Sequence, residues 1–338
     1  MHKFRKCILP AVLIVFLSAN ALLSHILYPY TYTRAMFREM QTADYDTLIV
    51  GGSHSKCGID PSVLKSEKGV LAINAAQGGE HTLDMYYLVR EAEKDVQLKC
   101  VICEIDPSYW VDEPNQTQEY VALYHEFPWS AVKIGYFYDK MLRADFRTAP
   151  FEWYLYRQQA AHLPELIREK KSEEYRNFDI SCFTDEVQSY HRDGFIARFR
   201  VDAGTTREDV PALWDRVNYN KDEQKYFEKL ADFCEKSGIE LVTVITPIPD
   251  TTYEAYRDAY DDASAFFEEY MAERGIRLIN YLRDGRSTGN PGDVADGNAA
   301  GRVPHDSDDF CDNEGHMFED AAAEFTKVIA GDLYRMRK

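Results

Sequence analysis

The hydrophobic pattern divides the chain into three regimes. The first is a single unbroken apolar stretch. From Cys7 to Tyr28, 22 residues contain no Asp, Glu, Lys or Arg. As a helix they would run roughly 33 Å, enough for a bilayer core. Lys3, Arg5 and Lys6 precede the stretch, and positive charge on that flank keeps the N-terminus in the cytoplasm and sends the remainder out. Ala19-Asn-Ala21 has the small-x-small spacing of a cleavage site. Apolar residues continue past it at Leu22, Leu23, Ile26 and Leu27, which favours an uncleaved anchor over residues 1–28. Both alternatives export the rest of the chain. Residues 29–44 read as a short, polar, helical connector.

The second regime is an alternation of short apolar runs with amphipathic stretches. Residues 45–50, 69–73, 99–105, 239–245 and 276–282 read as buried strands. Helices are expected after Asp60-Pro61, over 82–94, 222–237, 252–274 and 318–335, with Asp60 as cap and Pro61 at the first helical position. Strands alternating with helices imply parallel βαβ units in a three-layer α/β/α sandwich. Ligands in such sheets bind beyond the carboxyl ends of the strands. The turns there hold Ser53, Gly78 and Gly79, Asp106, and Thr246-Pro247. The third regime, from about 107 to 221, breaks the alternation and is rich in aromatics such as Tyr109, Trp110, Trp129, Trp153 and Tyr156. It reads as a mostly helical insertion in a domain spanning 45–338, either as a substrate lid or as added packing.

Charge and cysteine content narrow the picture further. A net charge of −18 argues against a nucleic-acid partner, which would need a basic face. Seven cysteines stand at 7, 57, 100, 103, 182, 234 and 311. Cys100 and Cys103 resemble a redox or zinc pair by spacing, but in a strand they point to opposite faces, so core packing is the better reading. A disulfide between Cys57 and Cys311 would tie together the two halves of the candidate site described next.

Ser53 follows the first strand on a glycine turn, Val50-Gly-Gly-Ser-His54. A serine hydroxyl needs a base within hydrogen-bond reach. His316 and Asp312, just before the final helix, supply a base and a carboxylate to orient it. The Ser53 amide with that of a nearby glycine could stabilise an oxyanion. His54 is a less apt base, since neighbouring side chains at a strand end diverge, and it reads instead as a loop or substrate contact. The remaining histidines, 81, 125, 162, 191 and 305, show no ligand spacing, so no metal is assigned and no cofactor is implied.

These segments resemble the SGNH/GDSL hydrolase superfamily. Four elements match in order: Val50 to His54 with Asp60-Pro61, Asn74-Ala-Ala-Gln-Gly-Gly79, Ile245-Thr-Pro-Ile-Pro249, and Asp312 to His316 before an Ala-rich helix. Within the superfamily the chain is similar to membrane-anchored bacterial members related to the D-alanine transfer protein of teichoic-acid modification and to alginate acetylation proteins. The resemblance implies a flavodoxin-like sheet, Ser53 as nucleophile, His316 and Asp312 as its partners, and Gly78 or Gly79 as an oxyanion donor. It covers 45–106 and 222–335. Two departures stand out: the family's Asp three before the His is here Asn313, with Asp312 or Asp309 left to serve, and the segment after the third strand, Glu104-Ile-Asp106-Pro107, lacks the family's oxyanion-hole Asn. Asn74 could compensate, though capping its turn suits it better; Gly52 permits the sharp turn and stands with Gly78, Gly79, Asn74 and His54 as a candidate oxyanion or substrate contact.

The resemblance thus implies an extracytoplasmic, single-pass membrane esterase or O-acyltransferase acting on acylated polysaccharide or a small acyl ester. Two alternatives remain open: a non-autonomous partner of a multi-spanning membrane acyltransferase, and a non-catalytic glycan-binding module.

Overall fold

The computed structural model describes residues 2–112, 118–143, 146–201, 212–282, 287–288 and 301–336. It separates into two compact units, one of Met1–Arg34 with Gln116–Cys182 and one of Ala35–Asn115 with Phe183–Lys338.

The second unit is built on a six-stranded sheet. Its strands are β1 (Thr47–Val50), β2 (Ala72–Asn74), β3 (Cys100–Glu104), β6 (Glu240–Ile245), β7 (Arg277–Asn280) and β8 (Ser287–Thr288), and a separate hairpin supplies β4 (Gln188–Tyr190) and β5 (Ile196–Arg198). The order is β2-β1-β3-β6-β7-β8. The first five strands are parallel and β8 pairs antiparallel to β7. This is the expected α/β sandwich with a flavodoxin-like strand order, extended by a two-residue edge. Most of the Gly/Asp-rich stretch over 284–308 lies outside the described residues.

Leu48, Ile49, Val50, Val101, Ile102, Cys103, Val242 and Val244 are all sealed from solvent. Strands covered on both faces read as continuous apolar runs rather than alternations, which is why these segments were legible as strands. One face is covered by the helices Pro61–Lys68 and Glu319–Met336, through Leu64, Ala322, Phe325 and Val328. The other is covered by the helices Thr82–Ala92, Lys221–Ser237 and Arg257–Glu273. The helix expected over 252–274 is two helices, Asp250–Ala255 and Arg257–Glu273, because Tyr256 leaves helical geometry (φ −127°, ψ 31°).

The stretch 107–221 is not uniformly helical either. The β4–β5 hairpin lies in it, and its turn at Gly194 presses so closely on the Asn74 carbonyl that a Cβ there would come within 1.9 Å of the oxygen. Backbone at φ 92° and this contact both demand glycine.

In the first unit, the helix His2–Leu27 contains the apolar run Ile8–Leu27, long and apolar enough to cross a bilayer. Leu27 and Tyr28, at its end, pack with Tyr156 and Leu166. Short helices, Gln118–Glu126, Ala131–Tyr136, Leu163–Glu169 and Glu173–Asn177, complete the unit.

Candidate active site

The turn after β1 is shaped by one buried carboxylate. Glu104, the last residue of β3, accepts hydrogen bonds from the Gly52 amide (2.8 Å) and the Ser55 amide (3.1 Å). Its other oxygen accepts one from the Thr246 hydroxyl at the end of β6 (3.1 Å). Three adjacent strand ends are thereby pinned to one side chain. Gly51 (φ 155°) passes so near that a Cβ would meet the Glu104 Cβ at 2.5 Å. Ser53 opens the short helix Ser53–Gly58 directly beyond this turn.

The second half of the site is a tight loop before the final helix. Phe310 and Met317, both fully buried, bridge across its base, and the Cys311 amide donates to the His316 carbonyl (2.8 Å). Within the loop, Asp312 Oδ1 accepts from the amides of Glu314 (3.0 Å), Gly315 (3.0 Å) and His316 (3.2 Å). Gly315, at φ 123°, allows the reversal.

The two halves meet. His316 Nε2 lies 2.6 Å from Ser53 Oγ, and His316 Nδ1 lies 2.6 Å from Asp312 Oδ2. With Nδ1–H donating to the carboxylate, Nε2 is left to accept from the serine hydroxyl. Burial would push the Asp312 carboxyl up, but the His316 hydrogen bond and charge outweigh it and hold it well below the usual carboxylate range. Asp312 therefore stays ionised beside the imidazole. Across this four-residue spacing one Asp312 oxygen organises the loop while the other reaches the ring. Asp309 is engaged elsewhere, in an ion pair with Arg302.

Of the other residues expected at the site, Gly78 and Gly79 lie beside Ser53: a Cβ on Gly78 would be 4.0 Å from the Ser53 Cβ. Gly52 needs correction as an oxyanion donor, while Asn74 takes the turn-capping role. The Gly52 amide is taken by Glu104. The Asn74 amide donates to the Ser55 and Ile59 carbonyls (2.8 and 2.9 Å) while its oxygen accepts from the Ala76 amide (3.1 Å), so this side chain caps the turn. Cys57 and Cys311 are free thiols.

His54 packs edge-on against the His316 ring (centroids 4.7 Å apart) and pairs with Asp106 (3.1 Å). Burial alone would lower its pKa, but Asp106, with Glu104 behind it, outweighs this and raises it to about 10. His54 is thus a cation at neutral pH. Ligand atoms of His54, Glu314 and His316 lie within 4.8 Å of one another, a possible metal grouping. A metal would require His54 to lose its proton and His316 to release Ser53, so the donor set as arranged does not fit one.

Tyr109 is a site residue that the sequence reading passed over as one aromatic among many. Its hydroxyl lies 3.5 Å from Ser53 Oγ and 3.4 Å from the Gly79 amide nitrogen. The ring covers Gly52, where a Cβ would meet it at 2.4 Å, and packs on His81 (centroids 5.4 Å apart), itself bonded to Glu223 (2.8 Å). Burial, reinforced by Asp106, raises the phenol to about 12, so it remains a donor. Tyr109 stands in the loop after β3. A small cavity of about 160 Å³, walled in part by His54, Tyr109, Thr246 and Tyr260, adjoins these residues.

A scan against protein-family models gives no match, and no curated protein matches. Among solved structures the chain is similar to a protein from Desulfitobacterium hafniense DCB-2 described as a "putative lipolytic protein of G-D-S-L family". The match covers 85% of this chain and 98% of that one, at 9% identity and a TM-score of 0.35. At that level the likeness carries no argument, and the fold and site stand on the strand order and distances given above.

Proposed function

We propose that the chain is a serine acyl hydrolase or acyltransferase, with Ser53 as nucleophile, His316 as general base and Asp312 as the orienting carboxylate. The supporting observation is the continuous Ser53–His316–Asp312 relay, with both links at 2.6 Å. In the proposed reaction His316 takes the Ser53 proton as Oγ attacks an ester carbonyl. The resulting oxyanion is met by the amides of Ser53 and Gly79 and by the Tyr109 hydroxyl. The imidazolium, stabilised by Asp312, then protonates the departing alcohol and leaves an acyl-enzyme. Water, or a sugar hydroxyl, takes the acyl group in the second half. The small cavity near His54 suits a short acyl group such as acetyl.

The apolar N-terminal helix suggests a membrane anchor with the second unit on the extracytoplasmic side. The family resemblance suggests acyl esters of envelope or secreted polysaccharide as substrates. The test is turnover of acetyl esters by the purified chain and by Ser53→Ala. Loss of turnover in the variant is expected, and unchanged turnover rejects the assignment.

A second reading is favoured by the Tyr109 hydroxyl, which already occupies the space between Ser53 Oγ and the Gly79 amide. On that reading a membrane acyltransferase partner must shift Tyr109 before the serine can react. The purified chain would then be inert alone and would gain turnover with the partner.

A further inference from the structure

A cavity of about 940 Å³ lies within the first unit. One wall is a single face of the membrane-length helix and its exit: Asn20, Ala21, Ser24 and Tyr28. The facing wall includes Trp129, Ile134 and Tyr138, which are 82%, 51% and 64% exposed. Arg34 and Glu152 line it as well. Large aromatics left this bare are unfavourable in water but are at home at the polar boundary of a bilayer.

The helix gives the cavity a depth. Ala21 and Tyr28 are seven residues apart, about 10 Å of helix rise. Ala21 belongs to the apolar run that ends at Leu27, while Arg34 lies beyond it. If the run spans the membrane, as proposed above, the cavity straddles the boundary between acyl chains and headgroups. The flank of the run itself is uncovered: Leu13, Phe16 and Leu17 are all exposed, and lipid is what would cover them.

The polar end has matching chemistry. The Arg34 guanidinium donates through Nε to Glu126 (3.3 Å) and through Nη1 to the Tyr175 hydroxyl (3.3 Å). A guanidinium has five donors, so this arrangement holds the fork in place and leaves donors for a phosphate.

We propose that this cavity binds one membrane phospholipid. One acyl chain lies along Ala21 and Ser24 and the phosphate meets Arg34. The inference rests on the membrane-anchor reading, so the experiment begins by asking whether the full chain sediments with membranes and resists carbonate extraction. Release into the soluble fraction rejects the anchor and the lipid site together.

If the chain is retained, it is purified in mild detergent, offered phosphatidylglycerol or the phosphate-free lipid diacylglycerol, and examined by native mass spectrometry. The expected result is one phosphatidylglycerol per chain, with at least fivefold less diacylglycerol retained. Ala21→Trp, which fills the cavity from an exposed helical position, should cut retention at least tenfold. Leu17→Trp, on the same helix but outside the cavity, should leave it unchanged. Equal retention by the two variants means general belt lipid and overturns the cavity assignment. Equal retention of the two lipids overturns the role given to Arg34.

Discussion

Replacing Tyr109 by Phe removes one oxygen from the centre of the proposed site and almost nothing else. The hydroxyl is 3.5 Å from Ser53 Oγ and 3.4 Å from the Gly79 nitrogen, both longer than well-formed hydrogen bonds. Its loss should therefore cost the resting protein less than about 1 kcal/mol, and the ring, held by Gly52 and His81, should stay in place. The reacting state is different. An oxyanion there would draw the phenol into a charge-assisted hydrogen bond, worth about 1.5–3 kcal/mol. That converts to a fall of about 10- to 150-fold in kcat, with KM and the unfolding midpoint little changed. The assay is acetyl-ester hydrolysis by wild type and variant, with urea unfolding alongside. A kcat within twofold of wild type refutes the donor role. A higher kcat refutes it more informatively, because it would mean that the hydroxyl obstructs the carbonyl oxygen, as the partner-dependent reading requires.

Asp312→Asn should leave the loop largely intact but lower kcat by about 10⁴ through loss of the correct imidazole tautomer, whereas Asp309→Asn should act on stability rather than on kcat; the reverse order in steady-state kinetics would reassign the acid. Glu104→Ala strands the buried amides of Gly52 and Ser55 and the Thr246 hydroxyl, so urea unfolding should show a loss of about 3 kcal/mol or more, while Glu104→Gln, which can still accept both amides on one oxygen, should lose much less; equal losses would mean that these bonds do not shape the turn. His54, with a folded-state pKa of about 10 against an ordinary 6.5, stabilises the fold fully below about pH 6.5 and loses that contribution as pH rises toward 10. Wild type should therefore lose stability relative to His54→Gln between pH 7 and 10, and parallel pH profiles would show that the Asp106 pair is not ionic.

The parallel sheet was legible because its strands are buried on both faces and bounded by turn residues, so runs such as Leu48–Val50 and Val242–Ile245 carry their own signature. The meeting of Ser53 with His316 and Asp312 was legible because the topology brings the β1 turn and the segment before the last helix to one edge. Less was visible where the determinant is a contact rather than a pattern. No Gly or Pro marks the break at Tyr256. The β4–β5 hairpin hides in a polar stretch with only Gly194 to announce its turn. Gly52 looked like an oxyanion donor because an amide near a serine is chemically suitable, but Glu104 had prior claim on it; Asn74 took the capping role that its place in a turn suggested. Glu104 itself offered a signal, an acid ending an otherwise apolar strand, since such a group must be buried with donors around it. Tyr109 offered a weaker one, its place in the loop after β3.

Treatment of the full-length chain with a fluorophosphonate, followed by mass spectrometry of its peptides, tests the central claim most directly. The account predicts phosphonylation of Ser53 in the wild type and its loss in His316→Ala. Folded protein that leaves Ser53 unmodified, or that is labelled equally with and without His316, contradicts it.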